Sequence, residues 1–165
     1  FLSAFGVRAL SKAFAEQPLA LKMNGDTLCA SYQPGESDSR LYGGNSTWRG
    51  PLWMPVNYML IESLREFHRY YAEHFSVEYP TGSGYLASLE EVADSLSERL
   101  TRLFLRDENG VRPSMAGYAQ LQEDPASRDL VLFHEYFHGE TGRGLGASHQ
   151  TGWSALVALL LQPKT

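Results

Sequence analysis

Trp53-Met-Pro-Val-Asn-Tyr-Met-Leu-Ile-Glu-Ser-Leu-Arg-Glu-Phe-His-Arg-Tyr-Tyr71 is the stretch on which the fold turns. Its apolar residues at 53, 56, 60, 64, 67 and 71 keep the three-and-four spacing of an amphipathic α-helix. Pro51 and Pro55 stand at its start, where proline is tolerated because the first helical N–H groups lack partners anyway. Further along, Ser88 and Glu91 form a capping-box pair, and Leu89, Val92, Leu96, Leu100 and Leu103 supply a second stripe. That spacing predicts a helix from Ser88 to about Leu105, ending before Asp107-Glu-Asn-Gly110. A third helix is expected from about Gly152 to Leu161, stopped by Pro163, and a short one over Phe5 to Ala15. Leu19-Ala-Leu-Lys-Met-Asn-Gly-Asp-Thr-Leu-Cys29 carries a different signal, two short runs flanking Asn24-Gly25, and predicts a β-hairpin. The segments Gln33 to Gly50, Ser76 to Ala87 and Arg106 to Arg128 are long and rich in Gly, Ser, Pro and Asp, and long loops on a helical frame often carry function. The expected fold class is mainly α, with long loops and one small β-hairpin.

The 165 residues suffice for one domain with a respectable core, or for part of a larger one. A net charge of −5 without a Lys/Arg cluster argues against nucleic acid or an anionic membrane as partner, because phosphate binding needs a positive field. Neutral ligands fit better. The lone Cys29 allows neither an internal disulfide nor a Cys-rich metal site. No run approaches the roughly 18 apolar residues of a membrane span. Phe-Leu-Ser-Ala-Phe-Gly at the N-terminus has neither a starting Met nor a signal layout, which suggests a piece of a larger protein and a cytoplasmic setting.

His134-Glu135-Tyr136-Phe137-His138 reads literally as H-E-x-x-H, the signature of zinc proteases. Such a site needs both histidines one helical turn apart and a third protein ligand. From Thr141 to Thr165 the chain has no Asp or Glu, which closes the route through a downstream Glu. The route through a third His fails as well, since Thr141 stands where a Gly is required and the next histidine is His149. Gly139 follows at once and leaves a helix little length. Surface or hydrogen-bonded histidines are the better reading, and no metal or cofactor is expected.

Sugar hydrolysis generally uses two carboxyl groups, one to protonate the leaving oxygen and one to activate water or attack the sugar. Glu135, between aromatics in Phe133-His-Glu-Tyr-Phe137, is placed for partial desolvation and is the first candidate base; Glu140 is the fallback. For either, a solvated carboxylate or an ion pair is the plain alternative. Trp48, Trp53 and Trp153 offer flat faces on which a pyranose can stack, and Arg49 offers a planar fork to hydroxyls or a carboxylate. Trp53 and Trp153 begin helices and serve equally well as core. Gly142, Gly144 and Gly146 either let backbone approach a ligand or supply turns. His149 and Gln150 either bind sugar hydroxyls or cap the last helix.

Gly44-Asn-Ser-Thr-Trp-Arg-Gly-Pro-Leu-Trp-Met-Pro-Val-Asn-Tyr58, His74-Phe-Ser-Val-Glu-Tyr-Pro-Thr-Gly-Ser-Gly84 and Phe133-His-Glu-Tyr-Phe-His-Gly-Glu-Thr-Gly-Arg-Gly-Leu-Gly-Ala-Ser-His-Gln-Thr-Gly-Trp153 together resemble the closing part of glycoside hydrolase family 63. The resemblance covers nearly the whole chain. It implies chemistry like that of processing α-glucosidases and mannosylglycerate hydrolases: hydrolysis of α-glycosidic bonds with inversion on an (α/α)6 toroid. By position it makes Glu135 the general base, sets Trp48, Arg49, Gly50 and Trp53 in the W-R-G-P-x-W segment of the sugar cleft, and matches Gln150, Gly152 and Trp153 to a closing Q-x-G-W. Other branches have Glu-Asn-Tyr-Asp where this chain has Glu135-Tyr-Phe-His138.

The family's general acid, an Asp, comes from an earlier part of the toroid that resembles nothing here. Residues 1–165 are therefore expected to be the C-terminal portion of a larger catalytic domain, a partial toroid without turnover by itself. Its expected partners are an oligosaccharide or small α-glycoside, the rest of the catalytic domain and a second copy of the fragment through exposed helix faces. A non-catalytic carbohydrate-binding or scaffold module is the alternative, and a zinc protease the third. Asn45-Ser46-Thr47 satisfies the N-glycosylation pattern, but it sits inside the cleft motif.

Overall fold

A computed structural model describes residues 1–37 and 48–162. The Asn45-Ser46-Thr47 acceptor pattern and the start of the first motif lie outside the described residues. Helix α1 spans Met54–Tyr71, with Trp53 as its cap residue and Pro55 in its first turn, as the proline placement implies. Helix α2 spans Leu89–Thr101 behind a complete capping box: the Ser88 hydroxyl accepts from the Glu91 amide at 3.2 Å, and the Glu91 carboxylate accepts from the Ser88 amide at 2.7 Å. Regular helix stops at Thr101, short of residue 105, because the amides of Leu103 and Phe104 bond back three residues and tighten the chain into turns.

The rest is less helical than expected. Strands β1 (Leu2–Ser3) and β2 (Gly6–Val7) form an antiparallel pair where a helix over residues 5–15 was expected, and only Lys12–Ala15 makes a 3-10 turn. Tertiary pairing overrides local preference there. The Arg8 amide donates to Phe1 O, Arg8 bridges to Leu52, and the buried Asn57 side chain clamps Val7 by accepting from its amide at 2.8 Å and donating to its carbonyl at 3.0 Å.

Strands β3 (Leu19–Met23) and β4 (Asp26–Ala30) make the expected hairpin, with Asn24 and Gly25 both at positive φ as a two-residue turn of this hand requires. β5 (Ser76–Glu78) pairs with β6 (Leu86–Ser88), and α3 is short (Ala119–Glu123). β7 (Tyr136–Phe137) pairs with β8 (Gly144–Leu145). The expected final helix is two short pieces, α4 (Thr151–Ser154) and α5 (Val157–Leu160), because the amides of Ala158 and Leu159 bond back three residues instead of four. The described residues thus form a small mixed α/β arrangement, with two substantial helices and short antiparallel strand pairs, in place of the mainly α frame expected.

The core lies along α2. Leu89, Val92, Leu96, Leu100 and Leu103, the stripe read from sequence, are all buried, and most of them pack with Leu52, Met54, Ile61, Phe104, Phe137 and Val157. Each such side chain contributes about 1.5–3 kcal/mol on burial. Helix α1 behaves differently: the residues it buries are Met54, Asn57 and Ile61, while Val56, Leu60, Phe67 and Tyr71 of the stripe that reveals the helix are exposed. The helix carries two apolar faces, and the described chain covers one. No described helix is long and apolar enough to cross a membrane.

Candidate functional site

The site is assembled by one backbone contact. Leu52 and Phe137 exchange both hydrogen bonds of an antiparallel pair, Leu52 N–H to Phe137 O at 2.8 Å and Phe137 N–H to Leu52 O at 2.9 Å. This joins the Trp48–Trp53 segment directly to the β7–β8 hairpin. The two stretches sit about eighty positions apart in sequence, so only tertiary pairing places their side chains together.

The tryptophans then converge. The Trp48 and Trp53 rings lie parallel with centroids 4.4 Å apart and planes 8° from coplanar. Tyr136 stacks on Trp53 at 5.2 Å, and Trp153, from α4, meets Trp53 edge-on at 6.2 Å. Offset and edge contacts of this kind contribute beyond plain area burial. Trp53 and Tyr136 are buried within the cluster, whereas Trp48 and Trp153 are 55% and 40% exposed. Trp53 therefore serves as core, whereas Trp48 and Trp153 present accessible rings. A cavity of about 150 Å³ lies beside Trp48 and Trp53, lined also by Val7, Ala9, Val56 and Leu60. Two larger hollows of about 800 and 850 Å³, in the α1–α2 groove and along α1 respectively, share no lining residue with it.

Glu135 immediately precedes Tyr136 and is half-buried. Its amide donates to Ala147 O at 2.9 Å, continuing the β7–β8 ladder, and its Oε2 accepts from the Ala147 amide at 3.4 Å. Burial first, then the negative charges of Glu36 and Glu135, push the Tyr136 phenol up, so that hydroxyl stays protonated.

Glu140 is engaged elsewhere. Arg8 Nη2 approaches its carboxylate at 3.1 Å and Lys12 Nζ at 3.0 Å, and the Tyr32 hydroxyl donates to it as well. Burial raises its pKa, but the Tyr32 and Lys12 hydrogen bonds and the Arg8 and Lys12 charges outweigh that and hold it below the ordinary carboxylate range. Arg8 also donates to Gly139 O at 3.2 Å and to Leu2 O at 2.5 Å. This network was not legible in the sequence, because its members are separated by up to 132 positions.

The histidines of the H-E-x-x-H match stand in irregular backbone on either side of the bend at Glu135 and strand β7, not on a helix. Four residues of extended chain span up to roughly 13 Å, against about 6 Å along a helix, so the geometry that lets two such histidines share one ion is missing. His134 is wholly buried, stacked on Tyr118 at 5.5 Å, and burial lowers its pKa. His138 Nδ1 accepts from the amides of Glu140 at 3.1 Å and Thr141 at 3.3 Å. An aspartate carboxylate makes the same contacts at a turn. Burial first, then Arg143, keep His138 below its ordinary pKa, which suits its Nδ1 to accept these bonds.

The remaining expected residues are spread around this centre. Arg49 is buried, and its Nη1 donates to the Ser31 carbonyl and hydroxyl at 3.4 and 3.3 Å, so it is held by the polypeptide beneath the cluster. Gly50 is buried with its backbone against the Tyr32 ring, where a Cβ would lie 2.7 Å from the nearest ring carbon. His149 and Gln150 are exposed; His149 Nδ1 pairs with the Ser148 hydroxyl at 3.3 Å, and the Gln150 side chain makes no capping bond to α4. Gly152 is exposed with open space around it. Gly142, Gly144 and Gly146 approach Leu103 and Phe5, His134, and Glu135 respectively, so their closeness serves the chain's own side chains.

Residues 20–154 match the family described as the mannosylglycerate hydrolase MGH1-like glycoside hydrolase domain. Among curated relatives, an uncharacterised protein of Saccharomyces cerevisiae is 51% identical over 160 residues, covering 96% of this chain. The Arabidopsis thaliana protein named alpha-glucosidase 2 is 29% identical over 114 residues, covering 69% of this chain. The chain spans 15% and 11% of the lengths of these two relatives. The motif resemblance and the family match meet on the same residues, and the chain belongs to the MGH1-like family of glycoside hydrolases.

Proposed function

We propose that this chain is the C-terminal portion of an inverting α-glycosidase, carrying its general base and one wall of its sugar cleft. The observation that carries the reading is the junction at Leu52–Phe137, which sets Glu135 next in sequence to Tyr136 of an aromatic cluster whose outer members, Trp48 and Trp153, remain exposed. Exposed indole faces suit the C–H face of a pyranose, and a half-buried carboxylate on the residue before Tyr136 suits activation of water. In inversion the second carboxyl lies across the sugar and protonates the leaving oxygen. That acid comes from polypeptide outside residues 1–165, which also closes the (α/α)6 toroid. The α-linkage rests on the family and on the name of the Arabidopsis relative.

The roles divide among the described residues. Glu135 takes the proton of the attacking water. Trp48 and Trp153 hold the sugar by stacking, while Trp53 and Tyr136 fix their position from below. His149 and Gln150, whose outer atoms face solvent, supply hydrogen bonds to hydroxyls, and Gly152 leaves room for the ring. Arg49 and Gly50 act from beneath by holding the Trp48 segment against Ser31 and Tyr32. Glu140 anchors the hairpin that carries the base.

Glu135→Gln in the full-length polypeptide is expected to lower kcat on an aryl α-glucoside by roughly 10³-fold or more, with KM and calorimetric sugar affinity nearly unchanged. Proton NMR of the first product is expected to show the β-anomer. Wild-type turnover in the variant would refute the base assignment, and an α-anomeric first product would refute inversion.

A further inference from the structure

We propose that Gly146 is the positioning residue that sets the base against the aromatic cluster; the inference rests on Glu135 being that base. Gly146 has φ +66°, and a Cβ built there would fall 2.6 Å from Glu135 Oε2, 3.0 Å from Glu135 Cβ and 2.8 Å from Tyr136 Cε1. All three atoms belong to the two residues on which the chemistry depends. The next residue, Ala147, supplies both the carbonyl that accepts from the Glu135 amide and the amide that donates to Glu135 Oε2. The missing side chain at 146 therefore has a defined use: it is the space in which the Glu135 carboxylate lies back against the strand.

Any Cβ at 146 drives that carboxylate off the Ala147 amide and presses on the Tyr136 ring, which bears on Trp53 at 5.2 Å. Base and cluster would move relative to each other. A displacement of about 1 Å in a reacting group can cost on the order of a hundredfold in rate. Gly110 provides the contrast: it has a similar positive φ, +75°, with nothing within 4 Å of a built Cβ. Substitution there carries the backbone strain without the collision.

The test compares Gly146→Ala, Gly146→Asn, Gly110→Ala and Glu135→Gln in the full-length polypeptide, with kcat and KM on an aryl α-glucoside and calorimetric affinity for glucose. Asparagine tolerates positive φ while keeping the Cβ, so it separates collision from strain. Both Gly146 variants are expected to lose roughly 10- to 100-fold in kcat with KM and glucose affinity little changed, and Gly110→Ala is expected to keep wild-type kcat. Wild-type kcat in Gly146→Asn, or an equal loss in Gly110→Ala, would overturn the proposal. Glu135→Gln separates the two claims: if it is inactive while Gly146→Asn is fully active, only the role of Gly146 falls, and if it retains turnover, the base assignment falls with it.

Discussion

Glu140 sits where Arg8, Lys12 and Tyr32 converge, five residues from Glu135 on the same hairpin segment. The two carboxylates differ in what surrounds them. Glu140 meets two cations and a phenol, whereas the Glu135 carboxylate meets the Ala147 amide and the open space at Gly146. The depressed pKa of Glu140 makes the network a pH-dependent contribution to stability. A carboxylate whose folded pKa lies below its unfolded value stabilises above the unfolded pKa, and that contribution is lost as pH falls through the folded one. Urea unfolding of wild type and Glu140→Gln is expected to differ by about 1–2 kcal/mol at pH 7, the difference shrinking as pH falls past the ordinary glutamate value of about 4.3 and vanishing below the lower folded pKa. At this scale the sequence offered both carboxylates as candidates but did not show how differently they are surrounded. Glu135 and Glu140 share a neighbourhood of Gly, His and aromatics, and only the distant Arg8 and Lys12 distinguish them.

At the scale of elements, legibility follows the range of the interactions that make each one. Helix α2 was readable because its cap, Ser88 with Glu91, and its stripe are all local, and Ser88→Ala is expected to cost about 1 kcal/mol in urea unfolding through the loss of that cap. The β3–β4 hairpin was readable because Asn24-Gly25 specifies its own turn. β1 and β2 were not, since what holds them is the Asn57 side chain, fifty positions away, and pairing with Leu52. The split between α4 and α5 is likewise invisible in an apolar run. Helix α1 gives the subtler case: periodicity located it correctly, yet the more conspicuous stripe is the exposed one, because Asn57 makes the inner face look polar.

For the molecule as a whole, two apolar surfaces remain uncovered among the described residues. One is the outer face of α1, where Met59, Phe67 and Tyr70 are exposed; the other is the face of the β3–β4 hairpin that bears Leu19, Leu21, Met23 and Leu28. A two-stranded hairpin is marginal alone in water, and exposed patches of this kind mark contact surfaces. Both agree with the proposal that further polypeptide completes the toroid and brings the acid. On that proposal the purified 165-residue chain is expected to hydrolyse no α-glucoside, since the acid would be supplied by the further polypeptide; measurable turnover by it would sink the division of the site between segments. The aromatic cluster has one more consequence. All three tryptophans of the chain lie within it, so tryptophan emission from this segment reports on that cluster, and the parallel Trp48–Trp53 pair gives an exciton signature in near-ultraviolet circular dichroism that a ligand stacked on Trp48 is expected to perturb without any label.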